Sequence, residues 1–251
     1  MKTHALFPSL VDKSVFITGG ASGIGACLVK RFAAQGAWVT FVDLQKERGE
    51  AFAASIASPR HRPCFHSVDL RDLDALQSVM RAVASPIDVL INNAADDTRH
   101  AFDELSPAYW DDRVAVNLRP MVFAAQEAAR QMRGSGGGSI VNIGSISWKL
   151  GQAGMIGYVT CKAAVHGLTR GLARELGPHN IRVNTISPGW VMTERQLALW
   201  VDPAANADIE KGQCLASRLQ PDDIASMALF LSAEDSRCAT AQDFTIDCGW
   251  S

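Results

Sequence analysis

The chain has 251 residues, 47% hydrophobic and 20% charged, which suits a globular protein with a sizeable core. A formal net charge of -2 gives no electrostatic reason to bind nucleic acid or an anionic membrane. Six cysteines without a Cys-x-x-Cys pair, and histidines without ligand spacing, point to reduced thiols in a cytoplasmic protein and to no metal centre.

The amino end, Met1-Lys2-Thr3-His4, leads into no signal-like apolar segment, and no apolar run approaches membrane-spanning length. Ser14-Val15-Phe16-Ile17-Thr18 is a buried-strand candidate, followed by glycines and a helix over residues 24–35. Trp38 to Val42 forms a second strand ending at Asp43, with a polar helix over residues 46–57 after it. A strand over residues 64–68 ends at Asp69, residues 73–84 have helical period, and Ile87-Asp88-Val89-Leu90-Ile91 is the next strand. One long helix is expected over residues 107–133, stopping at the turn Gly134-Ser135-Gly136-Gly137-Gly138. A strand over residues 139–143 and a helix from Ile156 to Leu176 follow, the helix ending at Gly177-Pro178. A strand over residues 181–187 then leads into Pro188-Gly189. Residues 191–217 lack this rhythm, and form either a helical lid over a pocket or an irregular connection.

Strands that are apolar almost throughout, separated by helices, predict an α/β protein with a doubly wound parallel sheet covered on both faces. With no internal repeat, low-complexity tract or linker, residues 1–251 are expected to form a single domain.

Thr18-Gly19-Gly20-Ala21-Ser22-Gly23-Ile24-Gly25 follows the first strand and opens the first helix. Glycines allow a tight turn and close backbone approach to a pyrophosphate, and a helix amino end offers free N–H groups to its charge. A glycine-rich turn is also compatible with a purely structural role. Asp43 lies 18 residues after Gly25, near the roughly 20 expected for an acid that binds the adenosine ribose. Its carboxylate would accept from the ribose hydroxyls and repel a 2′-phosphate, which favours NAD over NADP; an ordinary strand-end turn residue is the alternative. Asp69 and Leu70 are candidates for the adenine edge, with a helix cap by Asp69 the competing use. Asn93 and Ala94, after the fourth strand, are small enough for the cofactor to approach their backbone.

Tyr158 and Lys162 are four residues apart, on one helix face, and Ser145 lies thirteen positions before the tyrosine. A nearby ammonium lowers a phenol from its ordinary pKa of about 10, and would let Tyr158 act as a base. By itself the Tyr-x-x-x-Lys spacing fits a surface pair on an amphipathic helix equally well.

Taken together, residues 18–25, Asn92-Asn93-Ala94, Asn117, Ser145, Tyr158, Lys162 and Pro188-Gly189 occur in an order that resembles the short-chain dehydrogenase/reductase family across nearly the whole chain. The resemblance implies a Rossmann-like fold of seven strands, a nicotinamide cofactor and an Asn117, Ser145, Tyr158 and Lys162 catalytic set. It also implies cofactor contacts from Gly19, Ser22, Gly23, Ile24, Gly25, Val191 and Thr193 besides those above, with Tyr158 and Lys162 reaching the nicotinamide end. Ala95 departs from the family's usual glycine. Pairing of residues 107–133 and 156–176 across a twofold axis, through Ala124, Ala125, Ala128, Ala129, Ala163, Ala164, Gly167 and Gly171, is implied too, giving a dimer or tetramer.

A narrower match, carried by Arg99-His100, Gly144 to Trp148, Arg195-Gln196, Gln213-Cys214-Leu215 and Asp247 to Trp250, is similar to bacterial pentose 1-dehydrogenases of the NAD-dependent D-xylose type. It implies oxidation at C1 of an aldose to a lactone. Asp97, Arg99, Ser145, Ser147, Trp148, Tyr158, Trp190, Arg195 and Gln196 are the candidate substrate contacts. Asp96-Asp97-Thr98 before Arg99, and Trp190 after Gly189, depart from that pattern. The alternatives are a dehydrogenase acting on a secondary hydroxyl of a sugar acid, with Arg195 on the carboxylate, a non-catalytic NAD-binding sensor, and a structural subunit of a larger assembly.

Overall fold

The computed structural model describes residues 4–57 and 60–251, so the reading of Met1, Lys2 and Thr3 lies outside the described residues. Strands β1 (Ser14–Thr18), β2 (Trp38–Asp43), β3 (Cys64–Ser67), β4 (Val89–Asn92), β5 (Gly138–Ile143), β6 (Ile181–Pro188) and β7 (Asp243–Ile246) form one sheet in the order β3-β2-β1-β4-β5-β6-β7. Every pairing is parallel. The fold is thus a Rossmann-like doubly wound sheet.

Alternation along the strands feeds two cores. Val15, Ile17, Val89, Ile91, Val141 and Ile143 face one layer, where α1 (Gly23–Ala34) and α9 (Pro221–Ser232) pack. Phe16, Leu90 and Ile140 face the other, against α3 (Leu73–Arg81), α5 (Arg119–Ser135) and α6 (Ile156–Leu176). This period of two, with apolar residues on both faces, is what a sheet covered twice requires. Between α1 and α3 lies α2 (Lys46–Ser55). Strand order reverses between β1 and β4, and a crevice opens there at their carboxyl ends.

The single helix expected over residues 107–133 is two, α4 (Pro107–Asn117) and α5. Leu118 leaves helical geometry at φ -132°, ψ -52°. Pro120 has no N–H to continue the ladder, and its ring crowds the preceding turn. The Asn117 side chain, fully buried, donates to the Arg113 carbonyl at 3.0 Å and so substitutes for part of the interrupted bonding.

The alanines assigned to a subunit contact have another use: Ala124, Ala125, Ala128 and Ala129 are buried inside the protomer, where small side chains let α5 lie close on the sheet. Two elements not placed from sequence are α9 and β7. β7 is a four-residue edge strand, partly exposed and too short for an alternation pattern. Residues 191–217 contain two helices, α7 (Glu194–Leu199) and α8 (Pro203–Gly212). Among the described residues no helix is long and apolar enough to cross a membrane.

Candidate active site

The glycine turn after β1 is shaped by close approach. Gly19 has φ +69°, a conformation that favours glycine, and an added Cβ would lie 2.7 Å from Ala94 Cα. At Gly25 an added Cβ would collide with the Gly19 carbonyl oxygen. Ser22, the N-cap of α1, makes no side-chain capping bond, and no acidic residue occupies the first turn of the helix. That leaves a helix amino end with unsatisfied N–H groups beside Ser22, Gly23 and Ile24, which fits a pyrophosphate. Thr18 Oγ1 accepts from Asn93 N at 3.0 Å and Ala94 N at 3.2 Å, while Asn93 Nδ2 donates to the Thr18 and Gly19 carbonyls at 3.0 and 2.9 Å. Asn93 therefore holds the turn in shape.

Asp43, buried at the end of β2, accepts from Ala21 N and Gln45 N, each at 3.0 Å. Arg48 of α2 donates to the Ala21 carbonyl at 3.1 Å and pairs with Glu194 at 2.6 Å. A cation thus reaches the glycine turn in space although none is present there in sequence. Asp69 is held by Arg71, through N at 3.0 Å and an ion pair at 3.1 Å, and Leu70 packs against the second core. The helix cap considered for Asp69 belongs to Asp72, which accepts from Ala75 N at 2.9 Å.

A cavity of about 740 Å³ runs from Ile24 and Asn93, past Ser145, Tyr158 and Lys162, to Pro188 and Gly189, and on under α7 and α8. Ser145 is extended, and its Oγ accepts from Ser147 N at 3.1 Å. Ser147 is buried, lines the same cavity and has no partner for its own Oγ among the described residues. Lys162 is buried, donates to the Ile143 carbonyl at 2.7 Å and lies 5.5 Å from the centre of the Tyr158 ring. Burial pushes the ammonium down to about 8. Burial also raises the Tyr158 phenol, the Asp97 charge adds to this, and the Ser145 hydroxyl works the other way. The direction is opposite to the one expected from a lysine four residues away. Burial is the main cause and the Asp97 carboxylate the second, while Lys162 turns its ammonium to the Ile143 carbonyl.

At the far end, Gln196 Nε2 donates to Asp97 Oδ2 at 2.5 Å and Gln196 Oε1 accepts from Trp190 Nε1 at 2.9 Å. Asp97, Gln196 and Trp190 all line the cavity, as does Arg99, whose guanidinium lies 4.1 Å from the centre of a Trp200 ring. Val191 and Thr193 line it too, and Thr193 caps α7 by accepting from Gln196 N at 3.2 Å. Two expected substrate contacts are not brought in. Trp148 packs on His166, rings 4.9 Å apart, and is absent from the lining. Arg195 is outside as well, donating to Asp97 at 3.1 Å and paired with Asp96 at 3.8 Å. Asn117 has its side chain committed, accepting from Asp96 N at 2.8 Å and donating to the Asp96 and Arg113 carbonyls. Lining residues not foreseen include Leu150, Gln152, Met155, Asp208, Lys211 and Trp250. Only proximity to Ser145 could have pointed to Gln152. Among the described residues no group of three His, Cys, Asp or Glu is arranged to hold a metal ion.

A glycine turn at the sheet's switch point, with serine, tyrosine and lysine converging on the adjoining cavity, defines a dehydrogenase or reductase that uses a nicotinamide cofactor. The family model described as enoyl-(acyl carrier protein) reductase matches residues 19–251. A D-xylose 1-dehydrogenase of Caulobacter vibrioides is 45% identical over 248 residues, 99% of each chain. A probable galactose dehydrogenase of Rhizobium meliloti is 44% identical over 247 residues, 97% of this chain and 96% of its own. A 7α-hydroxysteroid dehydrogenase solved with NADH superposes with a TM-score of 0.91 at 27% identity, covering 97% of this chain and 96% of that one. The chain belongs to the short-chain dehydrogenase/reductase family. It is an enzyme that oxidises a CH–OH group of a small molecule.

Proposed function

We propose that the protein oxidises C1 of an aldopyranose, a pentose or 6-deoxyhexose, to a lactone with NAD. The observation that carries this is the likeness, at 45% and 44% identity over nearly the full chain, to two proteins named for the oxidation of aldoses. The cavity is consistent with it: a polar end built from Asp97, Gln196 and Arg99 adjoins Ser145 and Tyr158. The sugar-acid alternative has less support, because Arg195 does not line the cavity and its guanidinium is spent on Asp97 and Asp96. A panel of free aldoses, polyols and sugar acids with NAD tests the reading: turnover is expected with aldoses, and turnover confined to sugar acids would refute it.

In this reading Tyr158 takes the proton of the C1 hydroxyl, Ser145 holds the same oxygen, and Lys162 supplies positive charge and holds the nicotinamide ribose. Asn117 braces the loop after β4, with its side chain already bonded to protein. Gly19 to Gly25, Asn93, Ala94, Pro188, Gly189, Val191 and Thr193 hold the cofactor, which supplies the hydride acceptor. The segment containing α7 and α8 covers the substrate, within a single domain.

NAD is favoured over NADP because the buried Asp43 carboxylate stands where the adenosine ribose is held, while the Arg48 charge is offset by Glu194. Asp43→Ser is expected to shift the kcat/KM ratio toward NADP by about tenfold, the scale of a hydrogen bond to a charged group. A wild type that prefers NADP contradicts this assignment. The six free thiols fit a cytoplasmic setting. We also read the protein as a homo-oligomer: on α6, Gly167 and Gly171 are exposed with open space above them, so a second helix can approach closely. Light scattering that gives a stable monomer at micromolar concentration would contradict the oligomer.

A further inference from the structure

We propose that Trp250 is a specificity-determining residue, the aromatic platform against which the C–H face of the aldopyranose ring rests. This builds on the aldose reading above. Residues 247–251 are folded as a hook. Buried Asp247 accepts from Gly249 N at 2.9 Å, Ser251 N at 2.7 Å and Ser251 Oγ at 2.9 Å. Cys214 N and Leu215 N, just after α8, donate to the Cys248 carbonyl at 2.9 and 3.1 Å.

Three positions leave room for this hook and for one ring. Gly249 turns at φ +82°, and an added Cβ there would lie 2.9 Å from the Cys214 side chain. At Gly189 an added Cβ would lie 2.8 Å from Asp247 Cα, and at Gly212 it would collide with the Trp250 indole itself. So much local accommodation, for an indole that lines the catalytic cavity, points to a ring with a task.

Trp250 and Trp190 lie with ring centres 6.4 Å apart and planes inclined by 20°. That separation makes them a tiled wall, with no space for a sugar between them. The Trp190 N–H is bound to Gln196, whereas Trp250 Nε1 has no protein partner among the described residues. Ser145, Tyr158, Asp97 and Gln196 make other parts of the cavity polar. A pyranose is divided in the same way, with C–H groups on its ring face and hydroxyls around its rim. An acyclic polyol presents no such fixed face.

The test compares Trp250→Ala and Trp250→Phe on an aldose that the wild type oxidises. Trp250→Ala should raise the sugar KM about tenfold, near the upper end of what an aromatic face contributes, with the NAD KM unchanged. Trp250→Phe keeps a face and should recover most of the loss. Sugar titration should perturb the tryptophan fluorescence of the wild type, and most of this signal should be lost in Trp250→Phe, where only Trp190 remains in that wall, a readout that also decides the matter if the alanine variant does not fold. An unchanged sugar KM in Trp250→Ala, an equal rise in the NAD KM, or a full fluorescence response in Trp250→Phe overturns the platform. A wild type that turns over no aldose overturns the functional reading itself; an active wild type with an indifferent Trp250→Ala overturns the platform alone.

Discussion

Tyr158→Phe is expected to lower kcat for aldose oxidation by ~10²–10⁴-fold, the usual contribution of a positioned acid–base group, and to leave NAD affinity nearly intact. The ring still packs, and only the hydroxyl is lost. The wild type should also show a pH signature. Burial and the Asp97 charge raise the phenol above its ordinary range, so the basic form is scarce at neutral pH and grows as pH rises. Oxidation should therefore accelerate toward alkaline pH in the wild type. The residual rate of Tyr158→Phe should lack that rise. Near wild-type turnover in the variant would remove Tyr158 from its role.

Lys162→Met should reduce turnover by ~10²-fold or more, as for a missing positioned group, and change how stability depends on pH. The native ammonium is pushed down to about 8, against 10.5 for the free side chain. Between those values the unfolded chain binds more protons than the native one, so stability rises with pH across the window. Below it both states are protonated, and the native state carries a burial penalty of about 3 kcal/mol. Methionine has no charge to bury, although it leaves the Ile143 carbonyl without its 2.7 Å donor. The stability of Lys162→Met relative to wild type should thus fall by about 3 kcal/mol between pH 7 and pH 10.5. Urea unfolding at a series of pH values measures this, and a constant difference would contradict a buried ammonium.

Most of the sheet was legible because strands such as β1, β2 and β4 are apolar runs closed by a polar residue (Thr18, Asp43 and Asn92), and because α6 starts and stops where its residues say, at Ile156 and Gly177-Pro178. The glycine turn, Asp43 and the Ser145, Tyr158 and Lys162 set could be read for the same reason: each lies at a fixed offset from an element end. The break at Leu118 had a visible cause in Pro120, hidden among good helix formers on both sides.

Other features depend on distance in space. Asp97 and Gln196 meet across 99 residues, and Arg48 reaches Ala21 from the next helix. Trp148 is near Ser145 in sequence and turned toward His166 in space, whereas Trp250 is remote in sequence and in the cavity wall. Periodicity assigns a face to a residue in a helix or strand, but none to an indole on a turn.

The most direct test of the function is the fate of the hydrogen at C1. An aldose carrying deuterium at C1 should pass it to the cofactor, with NADD detected by mass spectrometry and a lactone, then an aldonic acid, free of the label. Reduced cofactor without deuterium, together with a keto-sugar that retains it at C1, would place the oxidation at another carbon and contradict the account.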